Sequence, residues 1–168
     1  IEFWLKPAVV ALGVPLYLQL EAIKKQLVPI LLSQLAGCII GVVSVVVIAK
    51  LMGAPQEIIY SLAPKSVTTP IAMEVADTLG GIPALTAAVV VCVGLLGSII
   101  GIKTLKLTRI KSPIAQGLSL GAAAHAVGTS TAMDISSKYG AYASLGLTLN
   151  GIFTALLTPT ILRLLGLL

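Results

Sequence analysis

The sequence predicts an all-α integral membrane protein, a helical bundle with two repeat-related broken or re-entrant helical elements that read as an inverted repeat. Three observations carry this. Of 168 residues 57% are hydrophobic and only 10% charged, at a mean hydropathy of +1.07, whereas a soluble domain has about 25% charged residues. Three stretches, 27–49, 82–102 and 140–162, contain no charge at all, and about 20 apolar residues span a bilayer. The segments between them are interrupted by proline and ionisable residues in matching places. This composition excludes disorder, collagen, a coiled coil and a disulfide scaffold. No basic patch interleaved with aromatics supports nucleic-acid binding.

Residues 7–20, PAVVALGVPLYLQL, read as the remaining part of a first membrane helix, and the Ile at position 1 reads as the start of a fragment or trimmed chain. Lys24 and Lys25 mark a short loop before the uncharged run at 27–49. Residues 54–81 hold Pro64, Lys65, Pro70, Glu74 and Asp77, too many breakers and charges for a lipid-facing helix; a charge at membrane depth costs about 2.5–3.5 kcal/mol on insertion scales. The second run, 82–102, leads into KTLKLTRIK at 103–111, the best candidate for a cytoplasmic loop. Residues 112–139 repeat the awkward pattern with Pro113, His125 and Asp134, and 140–162 form the third run, closed by Arg163. Cys38 and Cys92 both lie in apolar runs without a CxxC spacing, and read as buried thiols.

A gap-free shift of 60 residues superposes several features. GCIIG at 37–41 meets GSIIG at 97–101, and KSVTTPIAMEVA at 65–76 meets HAVGTSTAMDIS at 125–136. Lys65 falls on His125 and Glu74 on Asp134, so polar positions align as well as apolar ones. The units are about 27–86 and 87–146, each one charge-free helix followed by one broken element. Interrupted segments at corresponding positions of two repeats point to a transporter binding site. Basic residues do not settle the topology: re-entrant or spanning, the broken elements divide seven basic groups against three. Re-entrant elements would leave one span per unit and make the repeat inverted.

SLAPKSVTTP at 61–70 places a lysine and short hydroxyls between two prolines, where the backbone is expected to unwind. Lys65, Ser66, Thr68 and Thr69 would then bind a small carboxylate. In the counterpart, GLSLGAAAHAVGTSTAMD at 117–134, His125, Thr129, Ser130 and Thr131 are the matching candidates. An ionisable residue inside a membrane element is a functional hypothesis by default, and His125 could also carry a coupling proton. Glu74, Asp77 and Asp134 are candidates for proton or ion coupling, or for pairing with lysines. Gln116 and Asn150 read as interhelical hydrogen-bonding residues. Residues 64–70 and 125–131 are expected to be non-helical and to face each other, with Lys65 and His125 on two sides of one substrate site. Gly37, Gly41, Gly97 and Gly101 are expected at helix–helix contacts. No metal cluster, cofactor motif, Walker motif or catalytic constellation is present, so neither an enzyme nor an ATP-driven pump is expected.

At these motifs the chain resembles the LrgB/CidB family of bacterial inner-membrane proteins, YohK-like members included. The residues that carry it are PAVVALGVPLY at 7–17, SLAPKSVTTPIAMEVADTLGGIPALTA at 61–87 and GAAAHAVGTSTAMD at 121–134. The resemblance covers nearly the whole chain and implies one LrgB-like transmembrane domain over 1–168, multi-pass in the bacterial inner (plasma) membrane. It implies two functional descriptions. One is a holin- or antiholin-like protein modulating murein hydrolase export and cell lysis, with a small LrgA/CidA-type membrane partner. The other is a carrier: a related plant plastid protein is similar to a glycolate and glycerate carrier, and bacterial relatives are linked to pyruvate movement. The paired polar elements favour a secondary transporter of small monocarboxylates, embedded in the lipid bilayer and homo-oligomeric, with the antiholin-like role as the alternative.

Overall fold

The computed structural model describes Tyr17 and residues 20–168, and all regular structure among them is helical. Apart from Tyr17 and Leu20, the expected helix over 7–20 lies outside the described residues. The elements are α1 (Leu20–Lys25), α2 (Leu27–Leu51), α3 (Gln56–Leu62), α4 (Thr69–Leu79), α5 (Pro83–Leu107), α6 (Pro113–Ile135) and α7 (Ser137–Leu164). Helices α2, α5 and α7 have 25, 25 and 28 residues and are apolar and long enough to cross a membrane. At 1.5 Å per residue they measure about 37–42 Å.

Their burial is that of helices in lipid. Along α2 the buried positions are Ile30, Gln34, Cys38, Val42, Val46 and Ala49, a single stripe at helical spacing. The opposite face exposes Leu32, Ile40, Ile48 and Leu51, large apolar side chains that water would not tolerate in such a row but hydrocarbon does. On α5 only Thr86, Val90 and Gly94 are buried, while Val91, Leu95, Leu96, Ile99 and Ile100 are half or more exposed.

The direction of each helix follows from its neighbours. Helices α2 and α7 run parallel, since Cys38 meets Thr154 and Lys50 Nζ donates to Leu165 O. Helix α5 runs the other way: its Gly97 lies against Ala124 and its Gly101 against Leu120, whereas Gly117 and Gly121 meet Tyr142 and Ala143 in ascending order on α7.

Both interrupted segments double back instead of crossing. Within α6 the backbone leaves helical geometry at Ala124 (φ −123°, ψ 16°) and His125 (φ 43°, ψ −132°). Beyond that point the chain returns: a Cβ at Gly128 would strike the Leu120 carbonyl and lie 2.7 Å from Ala124 Cβ. In a straight helix residues eight apart stand about 12 Å from each other. The positive φ at a histidine costs about 1–3 kcal/mol and persists only where packing over-determines it. Helix α7 then starts beside the entry to α6, where a Cβ at Gly117 would stand 2.7 Å from Tyr139 O and 2.8 Å from Tyr142 Cβ.

The first element, α3–α4, makes the same excursion from the opposite end. Ile82 N–H donates to Ser61 Oγ at 2.7 Å and Thr86 Oγ1 donates to Ser61 O at 3.0 Å, so the chain comes back to where it left. Gly80 ends α4 in the left-handed region at φ 82°, where glycine carries no Cβ penalty. A Cβ on the next residue, Gly81, would stand 2.9 Å from the Ser61 backbone nitrogen. The tip between the two arms is residues 63–68, and α4 restarts at Thr69 with Pro70 in its first turn, where its missing N–H is harmless.

Two expectations need correction here. The non-helical stretches are residues 63–68 and the pair Ala124–His125, not 64–70 and 125–131, because Thr69–Pro70 already form the first turn of α4 and Ala126–Thr131 continue α6 as helix. Of the four glycines, Gly97 and Gly101 sit at helix contacts as expected, but Gly37 and Gly41 have nothing within 4 Å of a Cβ. They border open space instead.

Candidate functional site

The two tips meet at Asn150, which lies 13 residues into α7, about 20 Å along it and near its middle. Its Nδ2 donates to Ser66 O on the first tip at 3.2 Å and to Ala122 O on the second element at 2.9 Å. One buried amide thus ties together two backbones that enter from opposite ends, 84 and 28 residues away in sequence. These carbonyls sit in unwound or terminal backbone and would otherwise lack a partner in a medium without water. Asn150→Leu is expected to lower stability by about 1–3 kcal/mol, two membrane hydrogen bonds of ordinary strength. A thermal unfolding scan in detergent checks this, and a variant melting with the native chain would deny Asn150 this role.

Beside Asn150 is a cavity of about 400 Å³. It is bounded by Gln34, Cys38 and the open glycines Gly37 and Gly41 of α2, by Lys65 and Ser66 of the first tip, and by Ser119, Ala122, Asn150 and Thr154 of α6 and α7. Gly41 stands 14 residues into α2, about 21 Å along it, so the cavity reaches from the Leu27 end to about the middle of the bundle. Lys65 Nζ donates to Ser66 Oγ at 3.2 Å, and Cys38 Sγ contacts Thr154 Oγ1 at 3.4 Å. The wall is mostly small and apolar, with one fixed cation and a few neutral donors and acceptors. Lys65 thus sets a single positive charge on an otherwise neutral wall.

The structure brings only part of the expected set together. Lys65 and Ser66 line the cavity; Thr68, Thr69, His125, Thr129, Ser130 and Thr131 do not. His125 is buried and turned to α5, where its Nε2 lies 2.8 Å from Val90 O. A carbonyl can only accept, so Nε2 carries the proton. Gly94 makes this approach possible, since a Cβ there would lie 2.5 Å from the ring. Lys65 and His125 therefore do not flank one cavity; His125 anchors the second tip to α5. Thr129 Oγ1 donates to His125 O and Thr131 Oγ1 to Val127 O, hydroxyls spent on the turn before them. Ser130 is exposed. Glu74, Asp77 and Asp134 are exposed as well and lie off the cavity. Gln116 donates to Ile110 O in the preceding loop rather than across helices.

Gln34 is the functional candidate that sequence reasoning passed over. It is the only amide side chain in the charge-free run 27–49, and a polar residue in a stretch otherwise fit for lipid was the available signal. Ser119 and Thr154 carried no such signal, since short hydroxyls are frequent where membrane helices approach closely.

Comparison with known proteins gives a consistent picture. Residues 1–164 match the model of the LrgB-like family. The chain is 42% identical over 158 residues to the uncharacterized protein YwbG of Bacillus subtilis (strain 168), covering 94% of this chain and 70% of that protein. It is 36% identical over 166 residues to the antiholin-like protein LrgB of Bacillus mycoides (strain KBAB4), covering 99% of this chain and 72% of the relative. No solved structure matches it.

Proposed function

The chain belongs to the LrgB family, and from that premise we propose that it is a secondary transporter of small monocarboxylates of the pyruvate, glycolate or glycerate type. The observation that carries this reading is the cavity closed at mid-bundle by the Lys65 tip. A half-buried cation on unwound backbone deep in the bundle is costly in a membrane, a cost that a function needing it explains, here pairing with a carboxylate. Further support comes from the 60-residue offset, which sets Asn150 on Val90, Lys65 on His125 and Gln34 on Gly94. Asn150 and Val90 each bond a broken element, and His125 leans on Gly94 as Lys65 shares the cavity with Gln34. We read this correspondence as an inverted duplication, a plan in which the substrate lies between the halves.

Orientation follows from charge. Lys24, Lys25, Lys103, Lys106, Arg109, Lys111 and Lys138 belong to one end of the bundle, against Lys50 and Arg163 at the other. The positive-inside rule puts the first end in the cytoplasm, and the cavity extends toward that end.

The relatives' printed names favour a second reading, an antiholin-like role, and by names alone it is the better supported of the two. In that reading a small LrgA/CidA-type partner completes the assembly. One experiment separates them: purified chain in liposomes, supplied with labelled pyruvate, glycolate or glycerate. Saturable uptake with mutual competition is expected. Absence of saturable flux, with leakage of an unrelated trapped dye, would sink the transport reading and leave the antiholin-like one.

A further inference from the structure

Gln34 is 5% exposed, borders the cavity, and its Oε1 has no hydrogen-bond partner among the described residues. A buried acceptor left unpaired is rare and calls for an explanation. Lysine cannot be the general answer, because Lys65 already has the carboxylate to meet and donates to Ser66. Cys38 is turned to Thr154, and Asn150 spends its Nδ2 on the two tips. Lys65, Cys38 and Asn150 are thus engaged, and the amide of Gln34 is open to a ligand.

We propose that Gln34 is the specificity-determining residue of this cavity and that it selects small carboxylates bearing a hydroxyl donor beside the carboxylate. The inference rests on the carboxylate reading above and narrows it. Lys65 is a point charge and treats all carboxylates alike. An orphan acceptor treats them differently: a 2-hydroxy acid offers it an O–H, a 2-oxo acid offers only another acceptor, and an unsubstituted acid offers nothing. The terminal torsion of a glutamine is soft, so a bound hydroxyl can draw Oε1 toward the cavity. The volume of about 400 Å³ admits such an acid with several waters. A site with an acceptor to satisfy rejects the analogue that lacks the donor, because binding that analogue leaves the acceptor buried and unpaired.

The test uses three acids with one carbon frame. Lactate, pyruvate and propionate differ only at C2, and their dissociation constants are measured by calorimetry on the full chain in detergent. Lactate is expected to bind about tenfold tighter than either of the others, the ordinary worth of one buried hydrogen bond and its lost partner. In Gln34→Met, which keeps the bulk, the three constants should converge on the native value for propionate. Equal native affinities, or a native preference for pyruvate, would overturn the inference while leaving the carboxylate reading intact. Selectivity surviving in Gln34→Met would overturn the assignment to Gln34. No binding of any of the three by the native chain would overturn both readings. The native series decides the matter even if the variant does not fold.

Discussion

Lys65→Met is expected to weaken carboxylate binding by about 10- to 150-fold, since Lys65 is the only fixed cation lining the cavity among the described residues. A charge-assisted hydrogen bond contributes about 1.5–3 kcal/mol, and the medium around the tip screens it little. Fold stability should move the other way. The ammonium sits on a tip deep in the bundle, and a charge held at membrane depth costs about 2.5–3.5 kcal/mol on insertion scales, so the apolar replacement should melt at the native temperature or above it. Lys65→Arg keeps the charge but presents a wider planar fork, and should retain part of the affinity. Titration of propionate into the native chain and both variants, with melting curves alongside, checks the pair of effects. Normal affinity in Lys65→Met would remove Lys65 from the site.

Gly121→Leu is expected to lose about 3 kcal/mol or more of stability. A Cβ at Gly121 would collide with the Ala143 carbonyl oxygen and stand 2.6 Å from its carbon and 2.9 Å from Ala143 Cα. All of these are backbone atoms of α7, which cannot swing aside as a flexible side chain could. Overpacking a tight interface costs about 1–3 kcal/mol and occasionally more, and here the obstruction would lever the whole first arm of α6 away from α7. Gly41→Ala is the control, since its Cβ meets nothing within 4 Å and alanine favours a helix interior over glycine by about 1 kcal/mol. Melting temperatures in one detergent should fall strongly for the first and hold or rise for the second. A Gly121→Leu variant as stable as the native chain would mean that α6 does not pack on α7 as described.

Several features of this protein are legible without coordinates because they depend on the solvent alone. Hydrocarbon demands about 20 apolar residues per crossing, so the charge-free runs at 27–49, 82–102 and 140–162 announce α2, α5 and α7. The two interruptions are announced by Pro64, Lys65, Pro70 and by Pro113 and His125, which lipid-facing helices do not tolerate. The family is legible from the motifs around them. Lys65 and Ser66, which border the cavity, stand out in the sequence for the same reason, a lysine on unwound backbone within an apolar chain.

What tertiary structure alone decided is which group meets which. That the break in α6 is confined to Ala124–His125, with helix again from Ala126, could not be read from composition, because the turn is held by contacts with α5 and α7 rather than by a local breaker. The same cause separates two pairs of glycines that look alike in sequence: Gly97 and Gly101 are covered by the second element, while Gly37 and Gly41 face the cavity. It also removes His125 from the cavity, since Val90 O stands in reach of its ring, and raises Gln34 from an unremarked amide to a wall residue with an unpaired oxygen. Hydropathy is a local and additive property, and the sequence by itself determined everything that follows from it. The pairing of Asn150 with a carbonyl 84 residues away depends on where two backbones double back, and only the folded chain can decide that.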